Sequence, residues 1–180
     1  GYPVGFGKNN QAVLLPSFLA AYSGKDASGI SLDAFRNIPI PNWNIKYSGL
    51  MRYKFFKDKF KRFSLQNSYK ASYTINAFRS NFEYDKHPDG TDDNGNPYTD
   101  AGGNFFNKTL ISNINLVEQF NPLIRLDFEM KSSVKVLAEI KKDRALSMSF
   151  DNNLLTETKG LEYIVGLGYR IKDVIFSSRL

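Results

Sequence analysis

Residues 63–77 alternate between two kinds of side chain for about fifteen positions. The even positions are all polar, whereas the odd positions are aromatic or aliphatic with one exception: Phe63, Leu65, Asn67, Tyr69, Ala71, Tyr73, Ile75 and Ala77. A β-strand points successive side chains to opposite faces, so this stretch predicts a strand with one apolar and one polar face. Strands in sheets usually run about 5–6 residues, but a strand that crosses a bilayer needs about 9–11. Length and alternation together are typical of a transmembrane barrel strand.

The same two-residue period recurs in four other parts of the chain. Apolar residues take alternate positions from Trp43, over 110–130, over 134–150 and over 163–169. The exceptions are Ser112 and Glu118 in the second of these stretches, and Lys142 and Arg144 in the third. The parity of 110–130 is the same on both sides of Pro122, which favours one strand bent at Asn121–Pro122 over two strands joined by a turn there. The sequence predicts an all-β fold, an antiparallel transmembrane β-barrel segment of about five to six long strands. Since so few strands cannot close around a lumen, we expect them to belong to a larger barrel.

The connections between these strands are expected to alternate in length. Residues 53–60 and 131–133 read as short turns, whereas 83–106 and 151–160 read as longer loops, the first of them acidic and rich in Gly, Asn and Pro. Short turns on one side and long loops on the other are typical of outer-membrane barrels. The predicted organisation is an irregular segment at 1–41, with a short helix after Pro16 that ends at Gly24, followed by barrel strands over 42–180.

Composition limits the possible functions of the chain. Aromatic residues make up 14% of it, Cys is absent, and the formal net charge is +6. No apolar run is long enough for a transmembrane helix, so contact with a bilayer has to come through strands. The strand-like pattern continues towards Leu180, and we expect the chain to be part of a longer polypeptide.

Residues with catalytic or metal-binding chemistry are scarce. The single histidine, His87, lies in the acidic loop, and the spacing of Asp89, Asp92 and Asp93 does not match a calcium-binding loop. The sequence also has no nucleophile elbow and no phosphate-binding glycine loop. We therefore expect no enzyme activity, no cofactor and no metal site.

The alternation assigns side chains to three environments. The segment 52–62 holds six Lys or Arg with several aromatic residues; it fits a membrane-interface turn, a solvated hairpin end or, less well, a nucleic-acid contact, and no nucleic-acid partner is expected. The candidate lipid-facing residues are Tyr69, Tyr73, Ile75, Leu126 and Phe128. The candidate lumen-facing residues are Lys70, Ser72, Thr74, Asp127 and Glu129. The candidate interface turn comprises Arg52, Lys54, Phe55, Phe56 and Lys57.

Several stretches together resemble one family. They are LLPSFLAAYSGKDASGISLDAF at 14–35, IPIPNWNIKYSGL at 38–50, the strand at 63–78, NLVEQFNPLIRLDF at 115–128, and LLTET with EYIVGLGYRIKD near the end. These look like the C-terminal part of the SprA/Sov family, the giant outer-membrane translocon barrels of the type 9 secretion system that are also tied to gliding motility. IPIPNW and VEQFNPLI are the more distinctive pieces.

The resemblance implies a part in protein secretion across the outer membrane. The implied partners are the remaining strands of the same barrel, a PorV-type shuttle barrel, a periplasmic plug protein, cargo with a C-terminal signal domain, and the lipid bilayer. The family has no catalytic residues. Two alternatives remain open from the residues themselves: an outer-membrane barrel for nutrient uptake, which needs a plug domain, and a soluble secreted β-sandwich that binds other molecules.

Overall fold

A computed structural model describes residues 4–26, 29–30 and 40–171. The remaining parts of the predicted irregular segment, at 1–3, 27–28 and 31–39, and the predicted barrel residues 172–180 lie outside the described residues. The elements in chain order are α1 (Gln11–Ser23), β1 (Trp43–Tyr47), a 3₁₀ turn (Gly49–Arg52), α2 (Lys54–Lys59), β2 (Phe60–Ser80), α3 (Phe82–Lys86), β3 (Thr109–Met130), β4 (Val134–Ser149) and β5 (Leu154–Tyr169).

The strands form one mostly antiparallel sheet in the order β1-β2-β3-β4-β5, so each strand pairs with its neighbour in sequence. Strand β1 pairs with five residues of β2, from Trp43 opposite Tyr69 to Tyr47 opposite Leu65. The prediction of an all-β fold is confirmed, with four long strands and one short one. Strand β3 runs through the cis Asn121–Pro122 peptide without a turn, as the preserved parity favoured.

Strand β5 begins earlier than the sequence predicted. It starts at Leu154, so the connection from β4 is only the four residues 150–153 and the predicted loop at 151–160 is wrong. Glu157 and Lys159 interrupt the apolar alternation, so the pattern did not reveal the first part of this strand. The backbone nevertheless continues as a strand beside β4 there. Of the two long loops predicted, only the one after β2 exists among the described residues.

The chain divides into two compact units that cut across the strands. Unit 1 contains the chain up to Ile40, Ser72–Leu116 and Leu146–Glu157. Unit 2 contains Pro41–Ala71, Val117–Ala145 and the chain from Thr158. Strands β2 to β5 therefore contribute residues to both units.

Unit 1 is a two-layer arrangement in which α1 packs on one face of the sheet. Leu15, Phe18 and Leu19 from α1 form a buried cluster with strand residues that include Ile114 and Leu116, both with no exposed surface. The remaining buried members are Ile111, Leu146 and Met148. Burying apolar surface between a helix and a sheet is the main stabilising term in such a unit.

Helix α1 is longer than the sequence predicted. The Asn10 side chain accepts a hydrogen bond from the Ala12 amide, so the helix begins at Gln11 and includes Pro16. An N-cap of this kind satisfies one of the amides that the first turn leaves unpaired. The predicted end is confirmed: Gly24 adopts φ 66°, a left-handed conformation that glycine reaches without a steric penalty.

The start of α1 is fixed to strand β3. The Gln11 side-chain nitrogen donates to the Thr109 carbonyl at 2.9 Å, and the Ile111 amide donates to the Gln11 side-chain oxygen at 2.7 Å. Gln11 thus satisfies two main-chain groups of β3, in the manner of a neighbouring strand. The Asn107 side chain adds a bond to Asn10 at 2.9 Å.

Unit 2 consists of the sheet with the 3₁₀ turn and α2 at the β1–β2 connection. An aromatic cluster of Phe56, Phe60, Phe63 and Phe128 has ring centroids 5.0–5.7 Å apart. This cluster fixes α2 against β2 and β3, since its rings come from all three elements. No helix among the described residues is both long and apolar enough to cross a membrane.

Candidate functional site

The apolar face of the sheet in unit 2 is exposed. On β5, the alternate residues Leu161, Tyr163, Val165, Leu167 and Tyr169 expose between 58% and 79% of their surface. Trp43, Ile45 and Tyr47 of β1 and Ile124 of β3 are also exposed. Large side chains of this kind are normally buried, and contiguous exposed apolar surface marks an interaction site.

Tyr69 joins three strands on this apolar face. Its ring stacks on Trp43 of β1 at 4.5 Å and contacts Phe120 of β3 at 4.8 Å. Its hydroxyl donates to the Glu118 carboxylate at 2.7 Å, so the polar tip of the ring has a partner. The Trp43 ring nitrogen donates to the Asn67 side chain at 2.8 Å. Asn67 is the one polar residue among the odd positions of 63–77, and its side-chain oxygen accepts this hydrogen bond. Its side-chain nitrogen donates to the Leu123 carbonyl.

The candidate lipid-facing residues fall into two environments. Tyr69, Leu126 and Phe128 are half-buried among the aromatic residues of the open face in unit 2. Tyr73 and Ile75 lie on the same side of β2, but in unit 1 they pack against the buried cluster that contains α1. The sequence predicted that Tyr73 and Ile75 contact lipid, whereas the structure packs them against protein. Strand alternation predicts an apolar neighbour, but it does not distinguish lipid from protein.

The opposite face of unit 2 carries a row of ion pairs across four strands. Asp127 and Glu129, both predicted to face a lumen, lie 3.3 and 3.6 Å from Arg62 of β2. Arg125 lies 3.2 Å from Glu139 of β4, whose surface is only 7% exposed. The other paired residues are Lys61, Lys141 and Glu162. Because four cations alternate with four carboxylates, this face is polar and close to neutral.

The remaining candidate lumen-facing residues are exposed. Lys70 in unit 2, and Ser72 and Thr74 in unit 1, all have open side chains on the polar side of β2. Strand alternation puts them on the side opposite Tyr69 and Tyr73. They are polar and exposed, and they show no catalytic geometry.

The candidate interface turn is an exposed, basic and aromatic connection. Arg52 ends the 3₁₀ turn, and α2 carries Lys54, Phe55, Phe56 and Lys57. Phe56 is half-buried in the aromatic cluster, whereas Phe55 is exposed with the Lys59 ammonium 4.6 Å from its ring centroid. The segment therefore presents cations and the exposed rings of Tyr53 and Phe55 beside the open apolar face.

The acidic loop contains a tandem repeat that the sequence analysis missed. TDDNGNPY at 91–98 is followed directly by TDAGGNFF at 99–106, so the signal was an eight-residue period. In each copy an aspartate accepts two amides, from Asn94 and Asn96 onto Asp92 and from Gly102 and Asn104 onto Asp100. The glycine at the fifth position of each copy has a positive φ, 78° at Gly95 and 74° at Gly103. The loop is therefore two consecutive Asx turns.

Hydrogen bonding lowers the pKa values of the loop carboxylates. The Asn96 amide is the largest cause for Asp92, and the Asn104 amide is the largest cause for Asp100. Donors that face a carboxylate stabilise its charged form. The Gly7 amide donates to the Asn104 side chain, and the Phe105 amide donates to the Gly5 carbonyl. The loop is thus joined to the segment that precedes α1.

A polar cavity of about 520 Å³ lies in unit 1 beside this joint, lined by Asn10, Gln11, Arg79, Asp100, Asn107 and Phe150 among others. The side chains of Asn10, Gln11 and Asn107 in this lining already bind the chain's own groups. Within the described ranges, no three His, Asp or Glu side chains gather closely enough to hold a metal ion.

Comparison with known proteins adds no assignment: no family model matches the chain, and no curated protein matches it either. The site is therefore defined by its geometry. Unit 2 offers a sheet with an open aromatic and aliphatic face, an ion-paired face on the other side, and a basic aromatic turn at one end.

Proposed function

We propose that the chain is part of the wall of a very large outer-membrane β-barrel that conducts folded proteins, as in the type 9 secretion translocon. The observation that carries the proposal is the contrast between the two faces of unit 2. One face leaves large apolar side chains open, and the other holds paired charges and hydrated side chains. Lipid on the first side and water on the second satisfy both faces at once.

The strand lengths support a membrane-spanning band within unit 2. Twelve residues each of β2, β4 and β5 belong to this unit, at Phe60–Ala71, Val134–Ala145 and Thr158–Tyr169. At about 3.3 Å per residue and a tilt of about 40°, twelve residues span about 30 Å. That height equals the hydrocarbon thickness of a typical bilayer, about 30 Å. By strand alternation Lys142, Arg144 and Lys159 lie on the apolar side at one end of these segments, so the charge-free part is shorter, roughly eight to nine residues or about 20–23 Å, close to the roughly 25 Å apolar band of outer-membrane barrels.

Unit 1 is proposed to lie outside the hydrocarbon. Its apolar sheet face is already covered by α1, so it needs no lipid. Tyr73 and Ile75 are accordingly left out of the proposed lipid contact, and Tyr69, Leu126 and Phe128 are kept in it.

The open edges of the sheet support membership of a larger barrel. The strand order ends at β1 on one side and at β5 on the other, and no further strand pairs with either among the described residues. Unpaired backbone groups cost several kcal/mol each in hydrocarbon, so more strands have to follow on both sides. The proposed partners are these strands, a PorV-type shuttle barrel, a periplasmic plug protein, secreted cargo and lipid. The wall acts by geometry and hydration, and we propose no catalytic residue.

Cysteine labelling in cells tests the membrane assignment. The chain has no native Cys, so single variants carry one thiol each. A membrane-impermeant maleimide should label Ser72→Cys and should leave Val165→Cys unlabelled until detergent is added, because lipid shields the open face. Val165 is 73% exposed in the chain itself. Equal labelling of both thiols in intact membranes would indicate a soluble β-sandwich instead.

A photo-crosslinker at Lys70 separates protein conduction from nutrient uptake. Lys70 is exposed on the polar side of β2 in unit 2, where the proposal puts the passage. During secretion it should capture secreted proteins, and the same crosslinker at Leu167 on the open apolar face should not. Absence of any secreted protein among the Lys70 adducts, in cells that secrete normally, would favour a barrel for small molecules.

A further inference from the structure

Six exposed cations come together at one end of unit 2. Four of them, Arg52, Lys54, Lys57 and Lys59, belong to the β1–β2 connection, and two come from elsewhere in the chain, Lys131 and Arg170. Asp58 is the only acid within 51–59, 131–133 and 170–171. We call these six residues the basic rim.

Main-chain hydrogen bonds bring the three segments together. The Lys131 amide donates to the Lys59 carbonyl at 3.0 Å, which joins the β3–β4 turn to the end of α2. The Arg170 amide donates to the Ser133 carbonyl at 3.0 Å, which joins the end of β5 to the same turn. The sequence alone showed only the 52–59 part of this cluster, because Lys131 and Arg170 reach it through sheet pairing.

The cations of the basic rim differ from the ion-paired cations of the sheet in lacking acidic partners. Lys61, Arg62, Arg125 and Lys141 of unit 2 are all paired with carboxylates. Over the described parts of the chain, no ion pair joins any of the six rim residues to an acid. Among the described residues, the rim therefore keeps a net positive charge, which an external anion can balance.

Exposed aromatic rings accompany these cations. Tyr53 and Phe55 are exposed beside the rim, and the Lys59 ammonium lies over the Phe55 ring. Tyr47 and Tyr169 of the open apolar face are exposed as well. Aromatic rings next to cations, at the border of an apolar face, are typical of the headgroup region of a membrane.

We propose that the basic rim binds the phosphate groups of anionic phospholipids in the adjacent leaflet. The proposal rests on the membrane-spanning function above, and it adds the lipid class and the end of the strands that meets it. Lipid is favoured over other phosphates because the rim is continuous with an open apolar face, which acyl chains of the same molecule can cover. Juxtamembrane clusters of several Lys or Arg bind anionic lipids in this way.

Lipid binding to the full-length protein in neutral detergent micelles tests the proposal. Native mass spectrometry would compare phosphatidylglycerol with phosphatidylcholine for the wild type and for the variant Lys54→Gln/Lys57→Gln/Lys59→Gln/Lys131→Gln. We expect the wild type to prefer phosphatidylglycerol and the variant to lose the preference, with affinity lower by roughly several hundredfold for four cations. A matched control replaces Lys8, Lys25, Lys46 and Lys108, which are exposed elsewhere, and should keep the preference.

Three results would overturn the proposal. They are equal wild-type affinity for the two lipids, equal losses in the rim and control variants, and displacement of phosphatidylglycerol by millimolar inorganic phosphate or by single-stranded RNA. If the rim variant does not fold, a salt titration of the wild type decides, since only phosphatidylglycerol affinity should fall steeply with salt. Carbonate extraction of cell membranes tests the membrane-spanning function independently of the rim. Release of the protein by carbonate would contradict that function, whatever the rim binds.

Discussion

The two units of this chain share strands β2 to β5, but the apolar face of the sheet is covered in unit 1 and exposed in unit 2. In unit 1, Ile114, Leu116, Leu146 and Met148 of the sheet are buried beneath α1. In unit 2, β5 leaves five apolar side chains largely open, and no helix covers them among the described residues. The alternation in the sequence is the same in both regions. The pattern therefore predicts an apolar neighbour in both regions, and in unit 1 that neighbour is α1.

The polar faces of the two units differ as well. Unit 2 pairs its charges across four strands, so its polar face holds many ions with little net charge. In unit 1 the polar side of β2 carries small hydroxyl side chains such as Ser72 and Thr74. Under the proposed function, the charges of unit 2 lie close to a low-dielectric layer, where pairing them is favourable.

The same leucine-to-alanine change in the two units should have very different costs. Leu15 is 2% exposed beneath the sheet, so Leu15→Ala should lower the free energy of unfolding by about 2–5 kcal/mol. Leu167 is 79% exposed in the chain, so Leu167→Ala leaves no cavity and should lose only the detergent contact that the proposal gives this face, at most about 2 kcal/mol. Urea titrations of the full-length protein in detergent measure both. Similar costs would mean that α1 does not distinguish the units.

A charge on the open face should be costly only if that face meets lipid. Val165 lies in the middle of the unit 2 part of β5, and Val165→Arg should destabilise the folded protein in a bilayer by about 2–4 kcal/mol. In water the same change at so exposed a position should cost almost nothing. Ser72→Arg is the control for inserting a large cation on the polar side. Folding yield into vesicles gives the readout, and equal yields for the two variants contradict the membrane role.

Removing the Gln11 side chain should weaken the attachment of α1. Gln11→Ala leaves the Thr109 carbonyl and the Ile111 amide without their partner, and such a loss costs about 1–3 kcal/mol when the groups stay dry. Amide hydrogen exchange at Ile111 should accelerate, while the amides of β4 in unit 2 should not change. Lys8→Ala is the control, since that side chain is exposed. Unchanged exchange at Ile111 would show that apolar packing alone holds α1.

Much of the fold could be predicted because the strands obey one period. The number of strands, the single strand through Pro122 and the end of α1 at Gly24 all followed from local chemistry. The start of β5 did not, because Glu157 and Lys159 break the apolar period while the backbone continues to pair. The early start of α1 depends on Asn10 and on Gln11, whose partners lie about a hundred residues away.

The sequence predicted which side of the sheet each candidate residue occupies, but it did not predict how far along the strands the open face extends. Alternation correctly separated Tyr69 and Phe128 from Asp127 and Glu129, because strand geometry fixes the side of each residue. It could not reveal that α1 returns to cover Tyr73 and Ile75, since the contact joins segments far apart in sequence. The ion-pair partners of Asp127 and the place of Lys131 in the basic rim likewise depend on strand register. Local patterns do not specify that register.

The acidic loop should loosen at low pH, and this is the smallest effect we expect. Amide donors from Asn96 and Asn104 lower the pKa values of Asp92 and Asp100 in the folded loop. A lowered folded pKa means that the stabilisation is complete above the usual aspartate pKa and is lost as pH falls through the lower folded value. The loop amides should therefore exchange faster below about pH 4, after correction for intrinsic rates. The exchange rates of the Gly95 and Gly103 amides measure this loosening directly. The amides of α1 have no titrating partner, so their exchange rates are the internal control. If Asp92→Asn, which keeps an acceptor without the charge, shows the same acid response at Gly95, the carboxylate is not its cause.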